Sequence, residues 1–121
     1  MKIFIIIGSL MMALTVLVGA FGAHGLKNNF SMDSIKTFEK GVQYQAYHSL
    51  GLVIIGLLGF NFPHHLLWLP AVLFIFGIIF FSGSLYVLVL SNMKWLGMIT
   101  PIGGVSFVLG WMLLGWIIFR N

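Results

Sequence analysis

Residues 42–60 read VQYQAYHSLGLVIIGLLGF, a run that is polar in its first half, apolar in its second, and free of Lys, Arg, Asp and Glu. At roughly 20 residues it is long enough to cross ~30 Å of hydrocarbon as a helix. The stretches around it have that length with far less polarity: about Ile3–Gly22, about Leu66–Leu90 and about Trp95–Phe119. The pattern predicts an all-α membrane protein, a four-helix transmembrane bundle forming a single transmembrane domain over 1–121. Its helices are expected at about 3–22, 42–60, 66–90 and 95–119. The last two exceed the minimum span and are expected to tilt.

Composition points the same way. The chain is 60% hydrophobic and 7% charged, with mean hydropathy +1.11. A soluble domain carries about 25% charged residues, and so few charges could not keep a surface dissolved in water. The net charge is +4, but the basic residues stand singly between apolar runs. That excludes a nucleic-acid partner and leaves membrane lipids, with the lysines acting as topology signals and headgroup contacts. The absence of Cys excludes disulfides, thiolate metal sites and a cysteine nucleophile. Lys2 followed by an apolar run, with small residues around Ala20 and Ala23, has some look of a signal peptide. The run exceeds the ~7–15 residues of a signal core, so a retained helix is expected.

The connections carry the charge. In loop one, 23–41, Ser31 suits an N-cap and Asp33 a first helical turn. Met32, Ile35, Phe38 and Val42 recur at helical spacing, with Lys36, Glu39 and Lys40 mostly elsewhere. This predicts a short amphipathic helix over about 32–41, lying on the membrane surface between helices one and two. Pro63 marks the break of loop two, 61–65, and loop three is 91–94. Trp68, Trp95 and Trp116 sit near helix ends, where an indole favours the interface. Lys27, Lys36, Lys40 and Lys94 fall on one face, against Lys2 and Arg120 on the other. Loops 23–41 and 91–94 are therefore expected in the cytoplasm and both termini outside, in a multi-pass cell-membrane protein.

Intramembrane polarity lies almost entirely in the half nearest loops one and three. At ~1.5 Å rise per residue, His48 lies ~10 Å below Gly41, Thr100 ~8 Å below Trp95 and Ser82 ~12 Å below Leu90. The candidate cluster is His24, Tyr44, Gln45, Tyr47, His48, Ser82, Ser84, Tyr86 and Thr100. Tyr44, Tyr47, His48 and Gly51 share a helix-two stripe, which should face the bundle interior because polar groups in hydrocarbon are costly unless paired. Three readings stand. The cluster is interhelical glue, a pocket for a lipid headgroup or small amphiphile, or a heme or metal site using His24 and His48. No acidic residue or Cys is placed to help a metal, and no cofactor is expected. His64–His65 reads as a solvated loop pair, and Asp33 with Glu39 as a solvated face rather than an acid–base dyad. The sum of these readings is a non-enzymatic protein. A transporter or channel subunit working as a homo-oligomer is the alternative, against which the apolar half stands.

Small residues add packing stripes: Gly8, Met12, Thr15, Gly19 and Gly22 on helix one, with Gly97, Thr100 and Gly104, and Ser106 with Gly110, on helix four. Gly19, Gly22, Gly51, Gly83, Gly103, Gly104 and Gly110 are the positions expected to let helices approach closely. A homo-oligomeric interface fits the same stripes. Pro101 is expected to bend helix four.

Several blocks carry a resemblance. Gly19-Ala20-Phe21-Gly22-Ala23-His24-Gly25-Leu26, Tyr44-Gln45-Ala46-Tyr47-His48-Ser49-Leu50, Phe81-Ser82-Gly83-Ser84-Leu85-Tyr86, Thr100-Pro101-Ile102-Gly103-Gly104 and Gly110-Trp111 resemble, in order, the domain-of-unknown-function 423 family. That family is also called uncharacterised protein family 0382, and transmembrane protein 256 is its eukaryotic relative. The wording resembles a bacterial, Firmicutes-type member. The resemblance implies a multi-pass cell-membrane protein of about this length and supplies no activity. Its blocks include the polar positions reached above by depth.

Overall fold

The computed structural model describes residues 1–121 and is helical almost throughout. Helix α1 spans Lys2–Gly25 and α2 spans Met32–Leu58. A third rod comprises α3, His64–Gly77, a π-helical turn at Ile78–Ser82, and α4, Gly83–Ser91. The fourth begins as a 3-10 turn at Lys94–Met98 and continues as α5, Thr100–Arg120. Three of these rods, Lys2–Gly25, His64–Ser91 and Lys94–Arg120, are long and apolar enough to cross a membrane. In α2, the charged first turns and the Gln43, Gln45 and His48 side chains lower the apolar content.

The rods form two antiparallel hairpins. In the first, α1 lies along α2 at close range. A Cβ on Gly8 would come within 2.7 Å of the Ser49 carbonyl oxygen, one on Gly22 within 2.7 Å of the Phe38 ring, and one on Gly56 within 2.4 Å of Ile5. In the second, α3 and the π-turn lie along α5. A Cβ on Gly77 would meet the Phe107 ring at 2.3 Å, one on Gly110 the Phe74 ring at 2.7 Å, and one on Gly103 the backbone nitrogen of Phe81 at 2.3 Å. Such contacts leave room for hydrogen only, and they let helices associate by van der Waals packing where lipid supplies no hydrophobic drive. Gly51 joins the hairpins, its α-carbon facing the Phe74 ring.

Several expectations need correction. Residues 32–41 are not a separate surface helix but the first turns of a continuous α2. Ser31 does cap it, accepting a hydrogen bond from the Ser34 backbone N–H at 3.1 Å, and Asp33 lies in the first turn. Nothing then breaks the helix. Gly41 costs about 1 kcal/mol in a helix interior, and it is held against the Tyr86 ring. Phe38, 2% exposed, turns inward onto Gly22 and Tyr86 rather than outward onto lipid. Of the packing glycines, Gly22, Gly51, Gly103 and Gly110 are in tight contact, and Gly19 faces Val42 at 3.3 Å. Gly83 and Gly104 are not required for packing, since a Cβ there would meet nothing closer than 3.9 and 3.7 Å. Pro101 falls in the first turn of α5, where its missing N–H removes no helical bond, so it starts the helix instead of bending it.

The core divides by chemistry along the rods. Phe4, Leu52, Ile55, Leu67, Phe74, Leu114 and Ile117 form one apolar cluster toward the termini. The buried Gln45, His48, Ser49, Ser82 and Ser84 lie toward loops one and three.

Candidate functional site: a polar seam between two hairpins

The polar residues meet where the hairpins meet. Gln45, 2% exposed, spans three rods. Its amide nitrogen donates to the Met11 carbonyl of α1 at 3.2 Å, and its amide oxygen accepts from the Tyr86 hydroxyl of α4 at 2.6 Å. The Ser82 hydroxyl donates to the Gly41 carbonyl at 2.6 Å. Within the second hairpin, the Ser84 and Thr100 hydroxyls pair at 2.6 Å, and Ser106 donates to the Leu73 carbonyl at 2.6 Å. Ser49 and Thr15 bond back to carbonyls of their own helices.

His48 forms the deepest link. The Trp111 indole N–H donates to its Nε2 at 2.9 Å, while Nδ1 lies 2.7 Å from the Tyr44 carbonyl. A carbonyl can only accept, so Nδ1 carries the proton and Nε2 offers a lone pair. That pattern describes a neutral imidazole in a fixed tautomer. The ring lies flat on Phe107, centroids 3.5 Å apart at 10°, and edge-on to Phe74 at 5.1 Å. Tyr44 closes the group by stacking on Phe81 at 4.7 Å.

The π-turn makes this arrangement geometrically possible. A π-turn adds a residue to a helical turn and shifts the register of the helix beyond it. At Ile78–Ser82 it presses the Phe81 backbone onto Gly103, turns the Phe81 ring onto Tyr44, and aims Ser82 at Gly41.

Depth reasoning thus brought together Tyr44, Gln45, His48, Ser82, Ser84, Tyr86 and Thr100. Two expected members lie outside. Tyr47 is 51% exposed, on the outward stripe with Gln43, Leu50 and Ile54, and its hydroxyl is bonded to the Gln43 amide. His24 is exposed at the end of α1. Helix α1 meets the other rods through Phe4, Gly8, Thr15 and Gly22, a face that leaves His24 outside. Heme or metal held between His24 and His48 is therefore not what this geometry offers, because neither ring nitrogen of His48 is free. In the second loop, the His64 Nε2 bonds the Gly59 carbonyl at 2.9 Å.

Trp111 is the member that sequence reasoning missed as a site residue, though it closed the last resemblance block. An indole N–H far from the interface needs a partner, and that need was the available signal.

No buried side-chain nitrogen or oxygen lacks a hydrogen-bond partner. The larger open volumes lie at the two ends of the bundle. A cleft of about 770 Å³ runs past Pro63, His65, Leu69, Trp116 and Arg120 at the terminal end. A smaller one, of about 340 Å³, lies between the first turns of α2 and the start of α5.

Comparison with known proteins agrees with the sequence blocks. The model of the family described as "Protein of unknown function (DUF423)" matches residues 18–104. The chain belongs to the DUF423 family. It is 49% identical over 114 residues to a UPF0382 membrane protein of Staphylococcus saprophyticus, covering 94% of each chain. It is also 40% identical over 119 residues to the UPF0382 membrane protein YwdK of Bacillus subtilis, again covering 94% of each. No solved structure matches. The DUF423 match and these relatives, together with the three long apolar helices, make this a bacterial-type membrane protein of an uncharacterised family. The matched segment contains every residue of the seam from Gln45 to Thr100 and stops short of Ser106 and Trp111.

Proposed function

We propose that this DUF423 protein crosses the cell membrane four times and is not an enzyme, its polar layer serving as a permanent joint between two helical hairpins. The connection 26–31 with the charged first turns of α2, and the connection 92–93, lie in the cytoplasm and both termini outside. The observation that carries the reading is that every buried side-chain nitrogen and oxygen is already paired within the protein. A reaction centre keeps a base, a nucleophile or a ligand atom available for its substrate. His48, the best candidate by type, has both ring nitrogens occupied.

Helix α2 as the fourth span is supported by the direction of its side chains. Gln45, His48 and Ser49 turn inward, while Leu50, Ile54 and Leu57 face out. The outer surface of the whole molecule is apolar in the same way, with Leu10, Leu17, Val105 and Met112 exposed, so acyl chains are its first partners. The closed apolar core toward the termini argues against a pore through one copy.

Two measurements test the reading. The chain has no Cys, so single cysteines at Asn28, Asn92 and Asn121 report sidedness without background. A membrane-impermeant maleimide should label the Asn121 site in intact cells and the two loop sites only after permeabilisation. Loop labelling in intact cells would overturn the orientation. Purified protein should show no Soret band and no stoichiometric metal, and either one would overturn the closed joint.

A further inference from the structure

The geometry points to a site for an anionic phospholipid headgroup in the cleft above the joint, an inference that rests on the membrane orientation proposed above. The cleft, of about 340 Å³, is lined by Lys36, Thr37, Lys40, Phe81, Leu85 and Thr100. Lys36 and Lys40 stand one helical turn apart, ~6 Å along α2, on one face. Both are exposed. The only two side-chain carboxylates, Asp33 and Glu39, are absent from the lining.

Depth places those lysines among headgroups. The 27 residues of α2 run ~40 Å at ~1.5 Å per residue, which exceeds ~30 Å of hydrocarbon by two turns. Beyond Met32 at the start of α2, the outward apolar stripe runs from Tyr47 and Leu50 to Leu57, so the excess falls at the charged N-terminal end. The cytoplasmic leaflet is where anionic lipids concentrate.

The floor of the cleft selects an amphiphile. Leu85 and Phe81 are apolar, and the Phe81 ring is fixed against Tyr44. Thr100 is already bonded to Ser84, and Thr37 to the Asp33 carbonyl. The hydroxyls on the floor are therefore committed, and the free polar chemistry is a pair of ammonium groups at the rim. A phosphate diester sits against the ammoniums while its glycerol and acyl chains run down over Phe81 and Leu85. A zwitterionic choline lipid brings its own cation next to the lysines and is disfavoured.

Native mass spectrometry of the full chain in mild detergent tests this with phosphatidylglycerol, phosphatidylcholine and inorganic phosphate as probes. The unmodified protein should retain phosphatidylglycerol at least tenfold better than phosphatidylcholine. The Lys36→Gln/Lys40→Gln variant should lose that preference, and a Lys27→Gln/Lys94→Gln variant, with the same charge change on the same face, should keep it. Unchanged thermal transitions in both variants show that the fold is intact. Equal loss in both variants would mean a diffuse basic field, and no loss in the first would remove the site. Displacement of the lipid by equimolar inorganic phosphate would make it a free-anion site instead. Detergent has no sidedness, so a reversed orientation in the cysteine experiment would leave this result standing on its own.

Discussion

Toward the termini, Phe4, Leu52, Ile55, Leu67, Leu114 and Ile117 pack as an apolar cluster, with Phe4 edge-on to Trp68 at 4.7 Å. Toward loops one and three, Gln45, Ser82, Ser84, Tyr86 and Thr100 are tied by hydrogen bonds of 2.6–3.2 Å. In water the apolar end would dominate stability. In a bilayer the acyl chains are as apolar as leucine, so burying leucine gains little beyond contact. The apolar end therefore holds by fit, and the polar end by direction. A hydrogen bond in a membrane protein adds only ~0.6 kcal/mol on average, but it is lost when a helix slides by one turn. The difference assigns closeness of approach to shape and helix register to polarity.

The largest effect should come from breaking fit at the polar end itself. Gly103→Ala places a Cβ 2.3 Å from the Phe81 backbone nitrogen, and neither backbone can yield without separating α5 from the π-turn. A loss of about 3 kcal/mol is expected, at the high end for overpacking, read as a lowered unfolding midpoint in mixed micelles. Gly104→Ala, with nothing closer than 3.7 Å, should be neutral or gain up to about 1 kcal/mol from helix propensity. Equal effects at the two glycines would break the distinction between tight and open positions.

Next come the two ends compared directly. Leu52→Ala empties a fully buried apolar position and should cost about 2 kcal/mol, the low end for a core deletion because lipid offsets the transfer part. Gln45→Ala removes two hydrogen bonds at once and should cost about 1–2 kcal/mol. A double-mutant cycle of Gln45→Ala with Tyr86→Phe should show positive coupling. Additive losses would mean that the seam is not one unit.

The smallest effect is the most specific. Trp111→Phe keeps an aromatic ring but removes the donor to His48, for about 0.6 kcal/mol. Nitrogen NMR of the His48 ring should show the Nε2 signal shifting while Nδ1 keeps its proton. No change at Nε2 would sink the Trp111 bond, and a proton found on Nε2 would sink the assigned tautomer.

Much of this was legible in the chain. The polarity of 42–51, set against the apolar text of α1, placed Gln45 and His48 at one depth with Ser82, Ser84 and Tyr86. Tyr47 was misplaced because a stripe of residues three or four apart is broad. Tyr44 and Tyr47 differ by about 60° around the helix, enough to put one ring on Phe81 and the other in the open. The π-turn was not legible, since the segment Ile78–Ser82 contains no proline or glycine to announce it. The boundary at residue 41 misled in the opposite sense. The amphipathic, charged pattern of 32–41 suggested a separate surface helix, yet α2 runs on through Gly41, which packs against the Tyr86 ring.

The chain by itself determined that the protein is helical, that it belongs in lipid, and that Gln45, His48, Ser82 and Ser84 share a depth at which they turn inward. Hydrocarbon cannot hydrate an amide or an imidazole, so a polar side chain deep in the membrane must find a partner inside the bundle. The tertiary structure alone decided who pairs with whom: Gln45 with Tyr86, Ser82 with Gly41, His48 with Trp111. These partners lie on different rods, and their meeting depends on how closely glycine lets each helix approach a neighbouring ring, a distance that no single helix encodes.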